Sequence, residues 1–211
     1  MDYTLVIGNK AYSSWSLRPW LAMKTLGLPF EERRIPLDQP NTQDEIRKHN
    51  SAGKVPCLVD GANVVWDSLA ILEYLAEKRP ELWPADAAAR ARARSVAAEM
   101  HSGFFAVRSA MPMNVRNRYP GKGRSAEVDA DIARIDAIWS AAKKPLLFGG
   151  FCAADAMFAP VAFRFRTYEP PLSAASRAYL QALLALPAMQ EWSAAAGREA
   201  EALPKYDDLY A

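Results

Sequence analysis

The feature that most narrows what this chain can fold into is a change of hydrophobic period partway along it. Up to about residue 80 the apolar pattern alternates between that of buried strands and that of amphipathic helices, as in an α/β unit. "YTLVIG" reads as a buried strand. From Ser16 to about Leu26, Leu17, Trp20 and Leu21 sit at helical spacing, and Gly27 supplies a helix end. "FEERRIPL" predicts a second strand and "TQDEIRKH" a short polar helix. "PCLVD" and "NVVW" then predict two strands meeting at Asp60-Gly61, a hairpin signal. A helix from about Ser68 to Arg79, stopped by Pro80, completes the order β-α-β-α-β-β-α.

At "RPELWPADAAARAR" two prolines bracket an acidic stretch that turns alanine-rich, and no convincing strand follows. This predicts a boundary between an α/β domain over 1–80 and an all-helical domain over 87–211. Val96, Met100, Phe104, Val107 and Met111 recur at the spacing of one long amphipathic helix, stopped or kinked at Pro112. Further helical patterns cover about 126–143, 153–167, 174–185 and 187–199. Arg90, Arg92 and Arg94 spread around a helix axis, which favours a solvated helix start over a phosphate-binding patch.

The 211 residues suffice for a full hydrophobic core, and a net charge of +2 gives no reason to expect nucleic acid or an anionic membrane as partner. No apolar run approaches the roughly 20 residues of a membrane span, and the N-terminus lacks a leader pattern. Two cysteines, Cys57 and Cys152, are too few for a disulfide scaffold and wrongly spaced for a zinc site. A reduced, cytoplasmic setting is expected.

Three short stretches carry candidate chemistry. In "KAYSSWSLRPW", Pro19 lacks an N–H and is comfortable in a first helical turn, which predicts a cap at Ser16 or later. Ser13 and Ser14 are then left ahead of a helix N-terminus, where an anion is favoured. In "SAGKVPCLVDG", a Val55-Pro56 step before a strand forces Val55 extended; with a cis bond its N–H and C=O can face outward to pair with a peptide-like ligand. In "WDSLAILEYL", Asp67 and Ser68 open a helix; Ser68 can hold a carboxylate and Asp67 an ammonium, together an amino-acid clamp. Taken singly, these have ordinary readings as solvated loop hydroxyls, a proline at the start of a strand and a helix cap.

In conjunction they describe a receptor for a small anionic peptide carrying a thiol. Order and motifs resemble the glutathione S-transferases, through "KVPCLVDG", "DSLAILEYL" and "FGGFCAADAMFAPV", the last similar to the family's capping box at the start of a core helix. "SSWS" with Arg18 is similar to the serine-type zeta-class turn "SSCS", with Trp15 where zeta enzymes carry cysteine and Trp20 in place of a second arginine. Cys152 replaces the usual capping-box serine or threonine, and Asp155 is retained.

The resemblance implies a thioredoxin-like N-terminal domain with an all-α C-terminal domain, glutathione as co-substrate without a metal, a small electrophile as second substrate, a detoxifying role and a homodimer. It implies Ser14 or Ser13 as the thiol-activating hydroxyl and Lys54, Val55, Pro56, Asp67 and Ser68 as glutathione-binding residues. Trp15, His101, Phe105, Arg108, Met111 and Asn114 are the expected electrophile-binding residues. Glutathione-dependent isomerase, peroxidase or reductase activities compete, as does a transferase-like scaffold without catalysis. A thioredoxin-like disulfide reductase is disfavoured, because Trp15 stands at the turn that would need a cysteine.

Overall fold

Strand β1 (Tyr3–Ile7) lies inside a four-stranded mixed sheet in a computed structural model that describes residues 3–210. Its five residues are almost wholly buried, as a strand flanked on both sides and both faces must be. Helix α1 (Ser14–Thr25) returns the chain so that β2 (Phe30–Arg34) pairs parallel to β1, with Tyr3 opposite Phe30. After α2 (Thr42–Arg47), β3 (Cys57–Asp60) runs antiparallel along the other side of β1 and turns into β4 (Asn63–Trp66), giving the order β2-β1-β3-β4. Asp60 pairs with Asn63, so the turn is Gly61-Ala62, where Gly61 takes a left-handed φ of +59° without a side-chain penalty. Helix α3 (Ser68–Lys78) follows. The edge strand β2 reads FEERR, and its charged residues keep that edge from pairing with another sheet.

The two faces of the sheet are buried unequally. Leu5, Ile7 and Leu58 join Leu17, Leu21, Ile71 and Leu75 in the main core, whereas Val6, Ile35, Ile46 and Cys57 form a small second core under α2. Beyond a 3-10 turn at Pro80–Leu82 come helices α4 (Ala87–Ser102), α5 (Phe105–Ala110), α6 (Ala126–Ser140), α7 (Ala153–Tyr168), α8 (Ala174–Leu184), α9 (Pro187–Gly197) and α10 (Pro204–Asp207). The fold is thus a thioredoxin-like α/β domain joined to an all-α domain. Every residue of α7 except Arg166 is buried, which makes it the axis of the helical part. Trp20 on α1 meets Trp192 on α9 edge to face, ring centroids 5.0 Å apart, and the Trp192 indole donates to the Lys10 carbonyl at 2.9 Å. Among the described residues no helix is long and apolar enough to cross a membrane.

Two expectations are corrected. Helix α1 begins at Ser14 with Ser13 at the cap position, three residues ahead of the expected Ser16 cap, and with Pro19 inside the helix. Residues 16–23 are all buried, and that packing outweighs the hydrogen bond a proline removes from a helix interior. The expected long helix is two: α4 ends at Gly103, whose N–H closes the last turn on the Glu99 carbonyl at 2.8 Å, and Phe104 is left-handed with φ +58°. The Arg108 guanidinium then caps the broken end, donating to the carbonyls of His101 and Gly103 at 3.3 and 3.1 Å. The apolar stripe from Val96 to Met111 is still buried throughout, because the break re-aims the backbone without turning the stripe from the core.

Candidate functional site

Two adjoining cavities open where the α/β domain meets α4, α5 and α10. One, of about 600 Å³, is lined by Lys54, Val55, Pro56, Asp67, Ser68 and His101 among others; its neighbour, of about 540 Å³, by Ser13, Ser14, Arg108 and Arg164. Trp15, Leu37 and Val55 belong to both and form the shared wall.

The serines divide their work by burial. Ser16 is fully buried, and its Oγ accepts from the Gly8 N–H at 3.1 Å and pairs with Ser13 Oγ at 2.7 Å. It therefore ties the end of β1 to α1 from inside the helix rather than capping it. Ser13, at the N-cap position, makes no cap hydrogen bond with its side chain. Ser14 is the first residue of α1 and half-buried at the cavity wall. Among the described residues its hydroxyl has no hydrogen-bond partner, and it sits where the helix presents free N–H groups.

At the other end, the Val55-Pro56 bond is cis, and among the described residues no loop hydrogen bond uses the Val55 N–H or C=O. Asp67 caps α3, its Oδ1 accepting from the N–H groups of Leu69 and Ala70 at 2.8 and 3.3 Å. The other carboxylate oxygen lies 3.4 Å from His101 Nε2. Ser68 is buried and its Oγ accepts from Arg18 Nη1 at 3.2 Å, so its own proton remains to be donated. Lys54 is exposed on the cavity rim.

The electrophile-side expectations are met unevenly. Trp15 stands in the shared wall, with the Arg18 guanidinium 4.2 Å and the Arg108 guanidinium 4.8 Å from its ring centroid. Phe105, 69% exposed, stands on the rim, and Arg108 lines the cavity. His101 is instead in the Asp67 cavity, because the break at Gly103 separates it from Phe105 and Arg108. Met111 and Asn114 lie behind the wall. Met111 is fully buried in the core, and the Asn114 amide is consumed by the Tyr206 carbonyl and Asp207 at 3.3 and 2.8 Å. Met113, in the same RSAMPMN stretch, does line the wall, and Arg164 holds a wall position not anticipated from the sequence. Arg164 had a detectable signal: a cation set between Phe163 and Phe165 in the largely apolar helix α7.

The field in the second cavity is positive. Burial lowers Arg18 to about 9, with repulsion from Arg108 and Arg164 next, and burial lowers Arg164 to about 10, with repulsion from Arg108 next. Burial also lowers Arg108. Arg18 and Arg164 therefore both stay cationic at neutral pH. Among the described residues none of the three has a carboxylate ion-pair partner, and the Nε atoms of Arg18 and Arg164 are buried without a hydrogen bond. No group of three or more His, Cys, Asp or Glu that could hold a metal occurs among the described residues.

Comparison with known proteins agrees with this architecture. Residues 12–78 match the family model for the glutathione S-transferase N-terminal domain. A probable maleylacetoacetate isomerase of Caenorhabditis elegans is 32% identical over 107 residues, 50% of this chain and 49% of that protein. A zeta-class glutathione S-transferase of Euphorbia esula is 43% identical over 79 residues, 35% of this chain and 34% of that protein. The chain spans about half or less of the length of these curated relatives. The crystal structure of a glutathione transferase homologue from Burkholderia with bound glutathione superposes with a TM-score of 0.72 at 24% identity, covering 93% of this chain and 98% of that one.

Proposed function

We propose that this chain, whose N-terminal segment is a zeta-like glutathione S-transferase domain on a fold of that family, is a glutathione transferase in which Ser14 activates the thiol. The observation that carries this reading is the run of polar groups along two cavities with one shared wall: Asp67 and Ser68, then the Val55 backbone, then Ser14. Glutathione matches that sequence of chemistry, with its amino-acid head at Asp67 and Ser68, its peptide along Val55 and its sulfur towards Ser14. Lys54 and Pro56 complete its site, and no metal is needed. Residues 1–80 form the glutathione domain and 87–211 the electrophile domain. The protein acts in the cytoplasm as a homodimer.

The thiolate is the nucleophile, and a free thiol has a pKa of about 8.5. Lowering it by ~2 units takes roughly 2.7 kcal/mol of preferential stabilisation of the anion. A hydroxyl donating to a charged acceptor contributes about 1.5–3 kcal/mol and a helix N-terminus about 0.3–1. Ser14 at the start of α1 combines both. The thiol proton passes to water, the thiolate attacks the electrophilic carbon to form the S–C bond, and the displaced group leaves with its electron pair or the adduct takes up a proton. Ser13, held by Ser16, supports the loop.

Arg108 and Arg164, without a carboxylate partner in their cavity, favour an electrophile that carries an acidic group. The isomerases among the relatives make glutathione-dependent isomerisation of such an acid the second reading. Titration of the protein with glutathione, by intrinsic fluorescence and by calorimetry, tests the proposal. Saturable binding in the micromolar to millimolar range, kept in Ser14→Ala with loss of thiolate formation, is the expected result. Absence of binding up to several millimolar by both methods overturns it.

A further inference from the structure

We infer that Tyr12 is a positioning residue, which ties the outer wall of the electrophile cavity to the serine loop through Asp207 and so sets what that cavity accepts; the inference rests on the transferase reading above. Tyr12 immediately precedes Ser13 and lines the same cavity as Ser14, a place where a phenol invites assignment as the thiol-activating group. Its hydroxyl is not available for that. It donates to Asp207 Oδ2 at 2.5 Å and accepts from the Leu203 N–H at 3.2 Å and from the Arg116 guanidinium. One donor and two acceptor positions are all a phenol has, so the group is saturated. Burial, then the bond to Asp207, raises its pKa and keeps it protonated at neutral pH.

What the bonds accomplish is positional. The Tyr12 ring stacks on Tyr206 with centroids 5.3 Å apart, and Tyr206, Lys205 and Leu209 form the cavity wall opposite α5. Asp207 is the fastening point: it also accepts from the Leu203 N–H at 3.0 Å and from the Asn114 amide at 2.8 Å. Lys205 reaches across to an ion pair with Asp38, beyond β2, so the segment spans from the helical part to the α/β part. On the other side, the Tyr12 carbonyl accepts from the Ser14 N–H at 2.9 Å. Tyr12 thus joins the cavity wall at Tyr206 and Asp207 directly to the serine loop. None of Tyr12, Tyr206 and Asp207 lines the Asp67 cavity, so the effect is confined to the electrophile side.

The test is calorimetric titration of the wild type, Tyr12→Phe and Asp207→Asn with glutathione and with S-hexylglutathione, whose alkyl arm must enter the second cavity. Tyr12→Phe keeps the stacked ring and Asp207→Asn keeps the side-chain shape, so either carries the test if the other does not fold. Glutathione affinity is expected to stay within about twofold of wild type, while the gain from the hexyl arm falls about fivefold or more. The inference is overturned if the hexyl gain is unchanged in a folded variant, or if both ligands weaken equally. A wild type that binds neither ligand overturns the transferase reading itself, an outcome distinct from the other two.

Discussion

Ser16 Oγ stands between two partners that belong to different parts of the chain, the Gly8 N–H at 3.1 Å and Ser13 Oγ at 2.7 Å. It explains why a turn of three serines precedes a helix that needs one cap. One serine is structural, one is held against it, and one is left at the cavity wall. Ser16→Ala leaves the buried Gly8 N–H without a partner and is expected to cost about 1–3 kcal/mol of folding stability. Ser14→Ala, whose hydroxyl holds nothing in the fold, should change stability by no more than about 0.5 kcal/mol. Urea unfolding of the two variants separates these roles, and equal losses would mean that Ser14 is structural too.

Arg18 donates to Ser68 Oγ at 3.2 Å while covering the Trp15 ring, and burial is the main reason its charge is disfavoured. A buried cation without an ion-pair partner contributes little to the fold, so Arg18→Met should leave stability unchanged or raise it by about 1 kcal/mol. It should weaken glutathione binding about tenfold, since Ser68 loses its charged partner. Calorimetry beside thermal unfolding decides the matter; lower stability with unchanged affinity would make Arg18 a core residue only.

The α/β order and the hairpin were legible because strand and helix periods differ and because Gly61 marks its turn directly. The break at Gly103 was not, since Val96, Met100, Phe104, Val107 and Met111 keep one buried stripe across it and a single glycine is a weak stop signal. That one break moved His101 into the Asp67 cavity. The start of α1 is not legible from Pro19, because the preference of proline for a first turn holds for exposed helices and yields to packing in a buried one. Helix α10, the four residues PKYD, is too short to show a period, and its place in the cavity wall depends on bonds such as Tyr12 to Asp207, 195 residues apart. The candidate glutathione residues were legible for a different reason: Lys54 to Pro56 and Asp67 to Ser68 are local motifs that reach the cavity on short elements.

Arg134 grips Glu99 with two hydrogen bonds of 2.6 and 2.8 Å, and that contact is the largest cause of the lowered pKa of Glu99. A carboxylate whose folded pKa is depressed contributes stability above its unfolded pKa, and the contribution is lost as pH falls through the folded value. The Glu99 side chain is 34% exposed, so solvent screening limits the effect to about 0.2–1 kcal/mol. Glu99→Gln should therefore be less stable than wild type at neutral pH and converge with it on acidification below the carboxylate range. Unfolding free energies measured across that window test the sign, and a gap that widens towards acid contradicts it.

Asp155 holds the start of α7 from a fully buried position, accepting from the N–H groups of Cys152 and Leu147 at 2.9 and 3.1 Å and from the Tyr179 hydroxyl at 3.0 Å. Burial raises its pKa and these hydrogen bonds oppose the rise. Asp155→Ala would orphan three buried donors beneath the most buried helix, at an expected cost of about 3 kcal/mol or more. The reciprocal arm of this capping box is the weak one, because the Cys152 thiol faces the Asp155 N–H and sulfur is a poor acceptor. A hydroxyl there accepts better, so Cys152→Ser should raise stability by about 0.5–1 kcal/mol. The opposing term is burial: Cys152 is 3% exposed, and serine places a more polar atom in the same space. The two substitutions thus form one test of α7 by thermal unfolding. If Asp155→Ala is severe and Cys152→Ser melts higher, the cap governs the helix start; if Cys152→Ser melts lower, apolar burial of the sulfur outweighs its deficiency as a cap.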